Sequence, residues 1–100
     1  CYVKDCAAAI QLLQSAPELS HQIYNLSSGL AATAGDLVSA VKARLPDAEA
    51  ALAPGRRPGG RKNARMDISR LVAETGFKPE FDIAAAIADY VDWLLAGNEF

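Results

Sequence analysis

Apolar and polar positions follow different rhythms along this chain, and the changes of rhythm mark its elements. The pivotal stretch is His21-Gln22-Ile23-Tyr24-Asn25-Leu26-Ser27-Ser28-Gly29. Ile23, Tyr24 and Leu26 suit a pleated, half-buried surface, so residues 23–26 are expected to form a strand. Ser27-Ser28-Gly29 supplies turn residues. Thr33-Ala34-Gly35-Asp36 then reads as a capping box, with Asp in place of the usual Glu or Gln. Strand, polar turn and helix start, in that order, are the local grammar of an α/β sheet, whose ligands sit at the carboxyl ends of strands.

Helical spacing governs much of the rest. Cys6, Ile10 and Leu13 fall at i, i+4 and i+7, so residues 6–14 are expected to be helical, with Asp5 in the first turn or at the cap and Pro17 beyond the end. A second helix is expected from Ala34 to about Leu45, with Leu37, Val38, Val41 and Leu45 as its inner stripe and Lys42 and Arg44 suiting its C-terminal end. Residues 49–53 and 66–68 are each expected to form a short strand. Ser69 reads as the cap of a two-turn helix over 70–75, stopped by Gly76. The clearest amphipathic stripe is Ile83, Ile87, Tyr90, Val91 and Leu94, in a helix capped by Asp82 and closed by Gly97-Asn98. The expected class is α/β: a mostly helical chain with one strong and two short strands.

Composition narrows this picture. One hundred residues make at most one small domain with a modest core. Hydrophobic residues make up 51%, but many are Ala, which buries little area. The net charge of -2 argues against general nucleic-acid binding. The longest apolar run is far short of a membrane span, and the start has no signal-peptide pattern, so neither membrane nor nucleic acid is an expected partner. Cys1 and Cys6 lack the spacing of a zinc or redox pair and read as reduced thiols of a cytoplasmic protein. The chain begins with Cys rather than Met and inside a motif, which leads to the expectation of a fragment or a processed product.

The candidate chemistry lies mainly in residues 54–65. This stretch has Pro and Gly punctuation, no acidic residue, and five basic ones: Arg56, Arg57, Arg61, Lys62 and Arg65. Guanidinium groups on a Gly-rich backbone suit a phosphate or carboxylate ligand, and a diphosphate-bearing small molecule in particular. The bland alternative is a solvated surface loop. Asn25 and Ser27, at the end of the expected strand, are candidates to lie near a substrate. Asp5 could be a general base but reads more simply as a helix cap. His21 is the only histidine, which is thin support for acid–base catalysis. There is no G-x-G-x-x-G, no G-x-S-x-G and no metal-ligand cluster.

Several stretches together resemble the C-terminal portion of an extended short-chain dehydrogenase/reductase, the NAD-dependent epimerase/dehydratase family. They are Tyr2-Val3-Lys4-Asp5-Cys6-Ala7, Ile23-Tyr24-Asn25-Leu26-Ser27-Ser28-Gly29, Arg57-Pro58-Gly59-Gly60, and Met66-Asp67-Ile68-Ser69-Arg70 followed by Thr75-Gly76-Phe77-Lys78-Pro79 and Asp82-Ile83. The resemblance spans nearly the whole chain. Gly60 stands where the family pattern has an acidic residue.

The resemblance implies that residues 1–100 form a single substrate-binding portion of a Rossmann-type enzyme. The N-terminal Rossmann domain, with its Tyr-x-x-x-Lys pair and its NAD or NADP, would lie elsewhere. The chain alone is then expected to bind no cofactor and to carry no catalytic residue. The implied substrate is a sugar or nucleotide-sugar, an anionic small molecule contacted by Arg57 with Arg56, Arg61 and Arg65 nearby. Apolar faces left uncovered would favour a homo-oligomer. Two other readings stand beside this one: an independent α/β module binding an anion through the arginine loop, and an interaction module docking through the Ile87–Val91–Leu94 face.

Overall fold

The computed structural model describes residues 1–55, 59 and 64–98. Its elements are α1 (Val3–Ser15), α2 (Ala34–Arg44), α3 (Ser69–Thr75) and α4 (Ile83–Leu95). No strand is present among the described residues, so the α/β class is corrected to all-helical. Residues 23–26, 49–53 and 66–68 all lack a ladder. A strand persists only when its N–H and C=O groups meet a neighbouring strand. Among the described residues no backbone–backbone hydrogen bond joins 22–26 to another segment. Ile23 is 76% exposed, so its β-propensity finds no surface to pack on.

The chain divides into two compact units, Cys1–Ala31 with Arg65–Asp82, and Ala32–Ala64 with Ile83–Phe100. In the first unit, α1 and α3 pack around Ala9, Leu71 and Phe77. Leu12, Leu13, Tyr24, Leu26 and Ile68 close over this core. The inner face of α1 is therefore Asp5, Ala9, Leu12 and Leu13, so that of the expected stripe Leu13 packs on the core while Cys6 and Ile10 do not. Ile10 is half exposed. The helix is turned by about one residue from its apolar stripe because Asp5 is drawn inward. Its carboxylate, 3% exposed, accepts the N–H groups of Glu80 (3.0 Å) and Phe81 (3.2 Å). Tyr2 lies against Phe81, with ring centroids 4.8 Å apart.

Local chemistry sets the ends of α3. The Ser69 N–H donates to Asp67 Oδ1 at 2.9 Å, so Asp67, not Ser69, supplies the capping oxygen. At the other end Gly76 adopts φ 70°, the left-handed conformation that glycine takes without strain. Thr75 Oγ1 donates to the Leu71 carbonyl and accepts the Phe77 N–H, which carries the chain out of the helix.

The second unit pairs α2 with α4. The expected capping box is present: Thr33 N–H donates to Asp36 Oδ2 at 2.8 Å, and Asp36 N–H donates to Thr33 Oγ1 at 3.1 Å. Val91 is buried, while Val38, Val41, Leu45, Ile83, Ile87 and Leu94 are half-buried. Leu37 leaves the expected stripe and is exposed. Arg44 grips Asp92 Oδ1 through both Nε and Nη2, an exposed pair that contributes little to stability.

Two substitutions test the first unit's core. Leu71→Ala removes a side chain with no exposed surface and is expected to lower the unfolding free energy by about 3 kcal/mol. Asp5→Ala leaves two amides without an acceptor and is expected to cost about 2 kcal/mol or more. Urea denaturation followed by circular dichroism measures both, and unchanged midpoints would contradict this packing.

Candidate ligand cleft and the Glu74 cluster

Of the residues that the sequence nominates for binding, Arg56, Arg57 and Arg61 lie outside the described residues, as does Lys62. Arg65 is described and exposed. Ser27 Oγ accepts the Gly29 N–H at 3.0 Å, so its hydroxyl holds the turn. Gly29 has φ 69°, and a Cβ there would come within 3.2 Å of Ile68 Cδ1. Asn25 Nδ2 donates to the Asp67 carbonyl at 3.0 Å, which ties the 21–29 stretch to the segment entering α3.

That tie forms one side of a cleft of about 230 Å³, lined by Ile23, Asn25, Asp67, Ser69 and Arg70. The hydrogen bonds from Ser69 hold the Asp67 carboxyl below the ordinary range, and the charges of Arg65 and Arg70 act in the same direction. Asn25 is thus the nominated residue that the fold brings to a cleft, and Arg65 is two residues from one of its walls. Arg70 was not singled out by the sequence pattern. Its position after a capping Asp-x-Ser was the available signal.

A denser polar cluster surrounds Glu74. Its Oε2 accepts the Ser20 N–H (2.9 Å) and the Tyr24 hydroxyl (2.5 Å), and its Oε1 pairs with His21 Nδ1 (2.5 Å). The His21 N–H donates in turn to Tyr24 Oη at 3.1 Å. The Tyr24 hydroxyl and the Ser20 amide hold the Glu74 carboxyl below its ordinary 4.5. Partial burial and the Glu74 carboxylate hold Tyr24 above its ordinary 10.0. Nothing in the local sequence marks Glu74, because its partners lie about fifty residues upstream in the chain. The cluster places the lone His21 beside a carboxylate, and the bonds of Glu74 fasten the 20–24 segment to α3.

Asp5 does not serve as a free base, since both its oxygens accept backbone amides. It borders a second, mainly apolar cleft of about 450 Å³, walled by Ala8, Leu12, Phe77 and Phe81, with Lys4 and Lys78 at its edge. Lys4 Nζ sits 5.8 Å from the Phe81 ring centroid.

The nicotinamide cofactor that the resemblance implies does not fit these residues. The sequence has no G-x-G-x-x-G, and among the described residues no strand leads into a helix start to seat a pyrophosphate. No group of three His, Cys, Asp or Glu residues that could hold a metal ion occurs among the described residues. Cys1 and Cys6 are free thiols. No helix among the described residues is long and apolar enough to cross a membrane. No family model matches the chain, and neither the curated proteins nor the solved structures provide a match.

The Tyr24–Glu74 bond predicts a loss of stability at both ends of the pH scale. A depressed carboxyl contributes stability that is present above its unfolded value near 4.5 and is lost as pH falls through its folded value. A raised phenol contributes stability that is present below 10 and is lost as pH rises through its folded value. Urea midpoints measured against pH are expected to fall on both sides, and Tyr24→Phe with Glu74→Gln is expected to shrink both limbs, leaving part of the acid limb to Asp36 and Asp67, whose carboxyls are also held below the ordinary range. Limbs unchanged in the double variant would assign them to other groups.

Proposed function

We propose that this chain is the substrate-binding part of an NAD(P)-dependent epimerase, dehydratase or dehydrogenase acting on a sugar or nucleotide-sugar, without catalysing hydride transfer itself. One observation carries the reading. Two of the stretches on which the resemblance rests are far apart in sequence yet bonded to each other, and a third is bonded to residues that follow Thr75-Gly76-Phe77-Lys78-Pro79. Asp5 of the first stretch accepts the amides of Glu80 and Phe81, just beyond Phe77-Lys78-Pro79. Asn25 of the second donates to the carbonyl of Asp67 in the Met66-Asp67-Ile68-Ser69-Arg70 stretch, and the carboxylate of the same Asp67 accepts the Ser69 N–H at the start of α3. Residues that recur as a pattern because they bond to each other are expected to be found bonded.

The substrate class follows from charge. Arg56, Arg57, Arg61, Lys62 and Arg65 form a run without an acidic residue in a chain of net charge -2, so the positive charge is local rather than general. Such a run suits an anionic small molecule better than nucleic acid, since no aromatic residue is interleaved for base stacking. The reading of α4 as a docking helix is disfavoured. Val91 is buried and Ile87 and Leu94 are half-buried, so the face it would use is already largely covered.

Isothermal titration with uridine diphosphate glucose tests the proposal. Binding is expected, and Arg57→Ala is expected to weaken it roughly tenfold or more through loss of charge-assisted hydrogen bonds. Binding that ignores Arg57, or no binding of this or other nucleotide-sugars, would overturn the reading.

A further inference from the structure

The polar cleft beside α3 contains a guanidinium that no described residue holds. Arg70 makes no hydrogen bond or ion pair with any described residue, although it lines a concavity together with Asn25, Asp67 and Ser69. Its neighbours differ in kind. Asn25 is already engaged through Nδ2, which fixes its amide plane and leaves its carbonyl oxygen without a partner among the described residues. The Asp67 carboxylate accepts from Ser69, yet two carboxylate oxygens offer about four acceptor sites in all. Ile23, 76% exposed, supplies an apolar wall.

These groups suit a ligand with three features at once. A guanidinium fork matches the paired oxygens of a phosphate. A carboxylate and an amide oxygen match hydroxyl donors, which a bare phosphate lacks in number. An isoleucine side chain matches the C–H face of a sugar ring. A volume of about 230 Å³ is below that of typical drug-sized pockets, so the ligand is small. We infer that this cleft binds a monosaccharide phosphate, with Arg70 on the phosphate and Asn25 and Asp67 on the sugar hydroxyls. The inference rests on the substrate-binding reading above and names the part of the substrate that this cleft would take. The same phosphate could belong to a free sugar phosphate or to the sugar-proximal end of a nucleotide-sugar.

Nuclear magnetic resonance titration of the full, isotope-labelled chain tests it with four probes: glucose 1-phosphate, inorganic phosphate, methyl glucoside and uridine diphosphate glucose. Glucose 1-phosphate is expected to give saturable shifts at the Ser69 and Arg70 amides and the Asn25 side chain, with weaker binding of inorganic phosphate and none of methyl glucoside. Arg70→Gln is expected to weaken glucose 1-phosphate roughly tenfold or more, and Arg70→Lys to recover part of the loss, since it restores charge but not the fork. Arg70 is exposed and outside the core, so both variants should fold, and unchanged amide spectra in the rest of the chain check this. Absence of saturable shifts at these residues, or equal affinity in Arg70→Gln, would overturn the inference. Binding of uridine diphosphate glucose that needs Arg57 but not Arg70 would overturn the inference and leave the proposed function standing. Binding of glucose 1-phosphate that needs Arg70, with no nucleotide-sugar binding that needs Arg57, would do the reverse.

Discussion

The buried carboxylate of Asp5 is the constraint on which the first unit depends. A carboxylate that loses water must recover hydrogen bonds or become very costly. Here the donors that meet it are the amides of Glu80 and Phe81, 75 and 76 residues away in sequence. Meeting them fixes how α1 is rotated. That rotation points Ala9, Leu12 and Leu13 at Leu71 and Phe77, and it turns Ile10 outward. The polar contact thus selects which apolar side chains form the core, although burying them supplies most of the driving force. With Ala7, Ala8 and Ala9 in its first half, the helix has only the thin stripe of Cys6, Ile10 and Leu13 to set its orientation, so a directional bond can turn it.

Glu74 does for residues 20–24 what a neighbouring strand would otherwise do. A strand is held by repeated backbone bonds; this segment is held by one carboxylate that accepts a backbone amide and a phenol and pairs with an imidazole. The physical difference matters. A ladder is almost independent of pH and of side-chain identity, whereas a pin of this kind depends on both. Ile23 faces outward while Tyr24 and Leu26 reach the core, so the segment keeps the alternation of extended backbone although no ladder holds it.

The sequence made legible what local chemistry decides. Thr33 and Asp36 cap α2 because the two bonds close within four residues, and Gly76 ends α3 because its left-handed φ is glycine's own preference. Three features were hidden, each for a stated reason. Residues 23–26 carry strand propensity, but propensity reports fit to a pleated surface, not whether such a surface exists. The rotation of α1 depends on amides 75 residues distant. Glu74 has no local signature, since a carboxylate on a short helix is most often solvated. Of the candidate cleft, Asn25 was visible as the polar residue ending an apolar run, and Arg65 as part of a basic run. Arg70 was not, because its setting is made by segments that meet only after folding.

One short helix carries these roles together. Along α3, Leu71 points into the core, while Arg70 and Glu74, one turn apart, share an outer flank. Arg70 lines the cleft and its charge also acts on Tyr24, so the cleft and the pin are neighbours electrostatically as well as in space. Seven residues cannot form a stable helix alone. The helix persists because Leu71 is buried, Asp67 caps one end and Gly76 closes the other. Each of those supports therefore also positions Arg70. The backbone of Arg70 is set by the buried Leu71 on the inner side of α3 and by the Asp67 bond to Ser69, while its guanidinium makes no bond with a described residue. Such an arginine offers free donors to an anion from a fixed backbone position, and the entropy of ordering its side chain offsets part of that gain.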